Sequence, residues 1–204
     1  MVRIVPPVRP APREWNIMRN AHSALYSAVL AGILAIGIGS AAQAAMSEAQ
    51  YDAAVKAADA RLKTDKERCS TMSGNAEDVC KAQAEAEHTR VTEQAKAEMK
   101  GTSKARLEAA EEVAEANYKV AKERCDDFSG DPKDICLKEA KATYEKQKAD
   151  ITVLEKGNTA DARKDARETK RDADFEVAKA KCDQFSGDVK DKCVKDAKAT
   201  YKVE

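Results

Sequence analysis

The stretch "CDDFSGDPKDIC", from Cys125 to Cys136, decides how the rest of the chain is read. It returns as "CSTMSGNAEDVC", Cys69 to Cys80, and as "CDQFSGDVKDKC", Cys182 to Cys193. In every copy the cysteines stand 11 positions apart. The first cysteines, at 69, 125 and 182, are separated by 56 and 57 positions, so most of the chain is a threefold internal repeat.

Each copy reads as a helix, a tight corner and a second helix. Ahead of the corner, Tyr118, Ala121, Cys125 and Phe128 fall at three-four spacing, as do Phe175, Ala178, Cys182 and Phe185. Leu62, Asp65, Cys69 and Met72 form a weaker version in the first copy. Such spacing marks one face of a helix. Gly74, Gly130 and Gly187 then sit where a helix stop needs positive φ. Asn75, Asp131 and Asp188 follow as expected amino caps. Asp78, Asp134 and Asp191 come three residues later, at the positive end of the next helix dipole, and Pro132 suits a first turn. Arg68, Arg124 and Lys181 place positive charge at the end of the preceding helix.

This grammar predicts helices near 47–72, 75–99, 103–128, 131–155, 159–186 and 188–203. An antiparallel pair would bring the two cysteines together across each corner, giving disulfides Cys69–Cys80, Cys125–Cys136 and Cys182–Cys193. After the second cysteine the stripe resumes with Ala140 and Tyr144, or Ala197 and Tyr201; Asp134 with Lys138 and Asp191 with Lys195 are acid-before-base pairs four apart. Ser47 with Gln50 makes a capping box, and Lys100-Gly101-Thr102 and Lys156-Gly157-Asn158 are glycine stops followed by caps. The expected fold is all-α: tandem disulfide-stapled antiparallel helical hairpins, elongated, after a cleavable signal peptide. The divisions are a signal peptide over 1–44 and hairpin repeats over 45–100, 101–157 and 158–204.

The signal reading rests on "MRNAHSALYSAVLAGILAIGIGSAAQA", which has a basic start, an apolar run and an Ala42-Gln43-Ala44 cleavage site. Met18 is the expected natural start, and an uncleaved anchor is the alternative. Residues 1–44 hold Arg3, Arg9, Arg13 and Arg19 against Glu14. Of 36 basic and 36 acidic side chains, 32 and 35 therefore follow the cleavage site, a net of −3. That balance speaks against nucleic acid and anionic lipid as partners. An even set of six cysteines in an exported chain reads as disulfides, and the expected address is the periplasm.

Catalytic chemistry is not legible. Ten residues between paired cysteines do not suit a redox motif, and His88 is the one histidine after Ala44, too few for a zinc site. Asp126, Asp127, Asp131 and Asp134 lack the ligand series of a calcium loop. No Ser-His-Asp or Cys-His arrangement and no phosphate-binding glycine motif is present. The expectation is a non-enzyme with no cofactor and no metal.

"YKVAKERCDDFSGDPKDICLKEAKATY", with its echo "FEVAKAKCDQFSGDVKDKCVKDAKATY", resembles a set of small exported Ala/Lys-rich repeat proteins of Gram-negative bacteria, themselves labelled TolA-like or cell-envelope biogenesis proteins. The resemblance implies a periplasmic structural or interaction protein of the envelope, a helical scaffold or spacer with protein or envelope components as partners. Self-association through the alanine-rich stripes is left open, and the alternative is a stress-response holdase.

Overall fold

The computed structural model describes residues 45–203, so the signal peptide and the Met18 start lie outside the described residues. Six helices form among the described residues: α1 (Glu48–Cys69), α2 (Asn75–Lys100), α3 (Ser103–Cys125), α4 (Asp131–Glu155), α5 (Ala160–Cys182) and α6 (Gly187–Tyr201). The described residues contain no strand.

Among the described residues each helix packs only on its neighbours in the chain: α1 on α2, α2 on α3, and so on to α6. No central core can form in such a series, and each interface answers for its own stability. Alanine and cysteine supply nearly all the buried side chains; Val120, Ile151 and Phe175 are the only larger ones among the described residues. At about 25 cal/mol per Å², an alanine seam gives little adhesion, although alanine is the best helix former. The helices therefore form on local propensity, and what holds them side by side has to come from elsewhere.

Much of it is covalent. Cys69–Cys80, Cys125–Cys136 and Cys182–Cys193 are disulfides, with Cα–Cα separations of 5.5, 5.5 and 5.6 Å. Cys69, Cys125 and Cys182 are 0, 0 and 1% exposed, the most deeply buried side chains described. Contacts continue away from the bridges in descending and ascending order. Lys66 meets Glu85, Arg61 meets Glu87 and Asp59 meets His88 between α1 and α2. At the far end the Met46 amide donates to the Glu98 carbonyl.

The joints at Gly101 and Gly157 are also packed interfaces, of two different kinds. Ala97, Ala105 and Ala109 make an apolar cluster between α2 and α3. Between α4 and α5 ion pairs are added to buried alanines such as Ala149, Ala162 and Ala166: Lys138–Glu176 at 3.0 Å, Lys181–Glu139 at 2.7 Å, Lys146–Asp174 and Lys170–Asp150.

The helices before the corners stop three residues, or in α5 four, earlier than expected, each ending on its cysteine. The amides of Met72, Phe128 and Phe185 donate to the carbonyls of Cys69, Cys125 and Cys182. These tight i to i+3 bonds end the α-helical ladder there. The expected pairs Asp134–Lys138 and Asp191–Lys195 do not form: Lys138 crosses to Glu176 instead, and neither aspartate has an ion-pair partner among the described residues.

Two variants test this account. Replacing Cys125 and Cys136 together by serine should lower unfolding free energy by about 3 kcal/mol in the chain-entropy estimate while leaving helix content in native buffer largely intact. Denaturant melts followed by circular dichroism measure both quantities. Gly130 has φ 61° and ψ −147°, a region that only glycine occupies freely, and a Cβ there would meet no atom within 4 Å. Gly130→Ala should therefore cost about 1–3 kcal/mol from backbone strain alone.

Candidate interaction surface

The corners carry the residues that the repeat marks out. Gly74 and Gly130 are themselves the amino caps of α2 and α4, with φ near +60°. Their carbonyls accept from the amides of Glu77 and Asp78, and of Lys133 and Asp134. Asn75 and Asp131, expected as caps, are instead the first residues of their helices, and neither makes a side-chain cap bond. In the third corner Ser186 precedes α6, Gly187 opens it with φ 57°, and Asp188 is its second residue, again without a side-chain cap bond. The short turn explains the shift. In the first two corners the glycine takes the cap position itself, and the amides of Glu77 and Lys133 are met by its carbonyl rather than by a side-chain acceptor.

Asp78, Asp131, Asp134 and Asp188 remain in first turns, where the helix dipole favours them. Asp191 lies one residue deeper, and it is exposed. Lys133 reaches back to Asp126 at 2.8 Å, and Lys190 to Asp183 at 3.0 Å, so the second and third corners share a strap. Its places in the first corner are Ser70 and Glu77, which cannot form it.

At the other turns, Gly101 is a left-handed helix end and Thr102 caps α3 through the amide of Ala105. At the second, Gly157 and Asn158 both have positive φ, and the Asn158 amide donates to the Val153 carbonyl at 2.7 Å. Asn158 thus belongs to the stop, and Thr159 is the cap of α5, bonded to the Ala162 amide. Ser47 and Gln50 form the reciprocal capping box of α1.

Along the arms, Tyr118 stacks on Tyr144 with ring centroids 5.0 Å apart and planes 7° apart. Phe175 meets Tyr201 at 6.4 Å, tilted by 60°. The equivalent pair in the first copy is Leu62 and His88; His88 turns instead to Asp59, Nε2 to Oδ1 2.7 Å. Met72, Phe128 and Phe185 do not extend the buried stripe. They are 43, 51 and 49% exposed, because the helix has ended before them.

A second feature lies beside the Gly101 turn. An open groove of about 940 Å³ is lined by the start of α1, the end of α2 and the start of α3. Nothing in the repeat spacing announced it, because it takes residues from three helices.

No group of three or more His, Cys, Asp or Glu among the described residues is arranged to hold a metal ion, and no described helix is long and apolar enough to cross a membrane. Three disulfides fit an oxidising, extracytoplasmic setting. No family model, curated protein or solved structure matches the chain.

Hydrogen bonds from Arg90 and Lys138 hold the carboxyls of Glu87 and Glu176 below the ordinary carboxylate range. Folding then favours their charged forms. Their contribution is present above the unfolded value, about pH 4.3, and is lost as pH falls through the folded value. Partner carboxylates raise Lys96, Lys133 and Lys181: Glu93, Asp126 and Glu139 respectively. That contribution is present below about pH 10.4 and is lost as pH rises through the folded values. All these groups are well solvated, so each is small. Thermal midpoints should be flat between about pH 5 and 10 and decline gently outside it, and calorimetry against pH reads the profile.

Proposed function

We propose that this chain is a non-enzymatic structural or interaction protein of the cell envelope, exported to the periplasm. It acts there as a scaffold or spacer built from three disulfide-stapled antiparallel hairpins. The observation that carries the reading is the combination of three covalently closed corners with helices that touch only their chain neighbours. Stiffness without a central core suits a spacer, whose length matters more than a pocket. Helix α2, with 26 residues, is about 39 Å long at 1.5 Å per residue. Charged helix faces and repeated apolar corners offer protein or envelope components places to dock, in keeping with the resemblance to TolA-like envelope proteins.

The exposed Met72, Phe128 and Phe185, with the groove beside Gly101, favour one second reading, a periplasmic holdase. Substoichiometric or equimolar protein would then suppress aggregation of a reduced client. No suppression in excess removes it.

Fractionation of cells lysed under alkylating conditions tests the first reading. The expected product begins at Ala45, is released with the periplasm, and yields unreduced peptides linking Cys69 to Cys80, Cys125 to Cys136 and Cys182 to Cys193. Recovery from the cytoplasm with alkylated thiols would overturn it.

A further inference from the structure

We propose that copies of this chain join head to tail, the apolar tip of a corner on one copy seating in the groove beside Gly101 on the next. The proposal rests on the hairpin reading above, which places the three corners at one end of the array and the Gly101 and Gly157 turns at the other.

The knob is the residue three positions beyond each first cysteine. Phe128 and Phe185 are half exposed, and each stands beside carboxylates. Lys133 and Lys190 satisfy Asp126 and Asp183, but Asp127, Asp131 and Asp188 have no ion-pair partner among the described residues. The second and third tips are thus apolar side chains framed by unpaired carboxylates, whereas Met72 in the first stands among Ser70, Thr71 and Ser73.

The groove is the complement. Met46, Ala97, Ala109, Ala110 and Val113 give it an apolar lining, and Arg90 and Arg106 line it too. Arg90 is paired with Glu87, whereas Arg106 has no ion-pair partner among the described residues and reaches only the Gly101 carbonyl, at 3.5 Å. Glu98 is the one acid in the lining, and it accepts from Gln94. A volume of about 940 Å³ is ample for an aromatic ring with its flanking backbone. The other joint offers no such receptor. Ion pairs bind α4 to α5 there, and the cavity between them is only about 270 Å³.

Charge complementarity selects a second copy as the occupant: tips with unpaired carboxylates face a groove whose Arg106 has no ion-pair partner among the described residues, and both surfaces belong to this chain. Because tip and groove are different surfaces, the contact is heterologous, and it builds open chains where its rotation does not close into a ring. A scaffold of adjustable length follows from such an interface.

The test uses the oxidised chain in sedimentation velocity over a range of concentrations. Wild-type protein should show concentration-dependent species larger than monomer that shrink as salt is raised. Met72→Ala/Phe128→Ala/Phe185→Ala removes the tips, and Ala110→Glu/Val113→Glu fills the groove. Each variant alone should be monomeric, and an equimolar mixture should associate again, because one supplies grooves and the other tips. Arg106→Glu should weaken association at least tenfold, with partial recovery against Asp131→Arg. A wild type that stays monomeric, or variants that assemble like it, would overturn the proposal. Circular dichroism and disulfide mapping of every variant separate the outcomes: lost helix or rearranged bridges would count against the hairpin reading instead.

Discussion

The rest of this structure depends on closing each corner locally with a disulfide. A helix made largely of alanine and charged residues forms easily, but it presents almost no apolar area to a neighbour. In a series where every helix meets only the one before and the one after, no distant contact can make up the deficit. The bridge removes entropy from the unfolded chain at the point where the two arms must first meet. It is placed where it constrains most: the first cysteine is the last residue of its helix, and the second lies in the second turn of the next. The deep burial of Cys69, Cys125 and Cys182 makes sulfur the most enclosed apolar material in the array.

Between repeats, where no cysteine is available, two different physical solutions appear. The first joint relies on small apolar side chains around Gly101, and the second adds crossed ion pairs between α4 and α5 to its buried alanines. Exposed ion pairs are weak singly and are screened by salt, so the second joint is the one whose strength depends on the medium. Nearest-neighbour additivity makes these differences local. A change at one joint should alter the angle or persistence of that joint without undoing the corners on either side.

The three corners were legible in the sequence because their information is short-range. A fixed cysteine interval, a glycine and a cluster of acids fit within a dozen residues, and the helices and bridges follow from them. Resolution failed at the scale of single residues. Helix stripes suggested that α1, α3 and α5 run through Met72, Phe128 and Phe185, yet the turn geometry ends them on the cysteine. Asn75 and Asp131 have the chemistry of caps, but the preceding glycine's backbone had already taken that place. Asn158 was displaced in the same way, by its own positive φ, leaving Thr159 to cap. Cross-helix choices were illegible for another reason. Whether Lys138 pairs with Asp134 or Glu176 depends on the register between α4 and α5, which no local pattern encodes. The groove, drawn from three helices, was hidden for the same cause.

The early helix stop also changes what the repeated residue at position three after the cysteine means. Were the helix to run on, Met72, Phe128 and Phe185 would be ordinary stripe members, and their apolar character would be explained by burial. They stand outside the helix, half in solvent, in all three copies. Scattered apolar side chains on a surface need no explanation. Apolar side chains at the same exposed place in successive repeats, each within a few residues of carboxylates, are not scattered. Packing inside the chain does not account for them, since the corner is already closed by its disulfide and, in two copies, by the Lys133–Asp126 and Lys190–Asp183 straps. The corner therefore has two layers: an inner one of sulfur and backbone that fixes the bend, and an outer one of apolar tips and acids that the bend holds out to solvent.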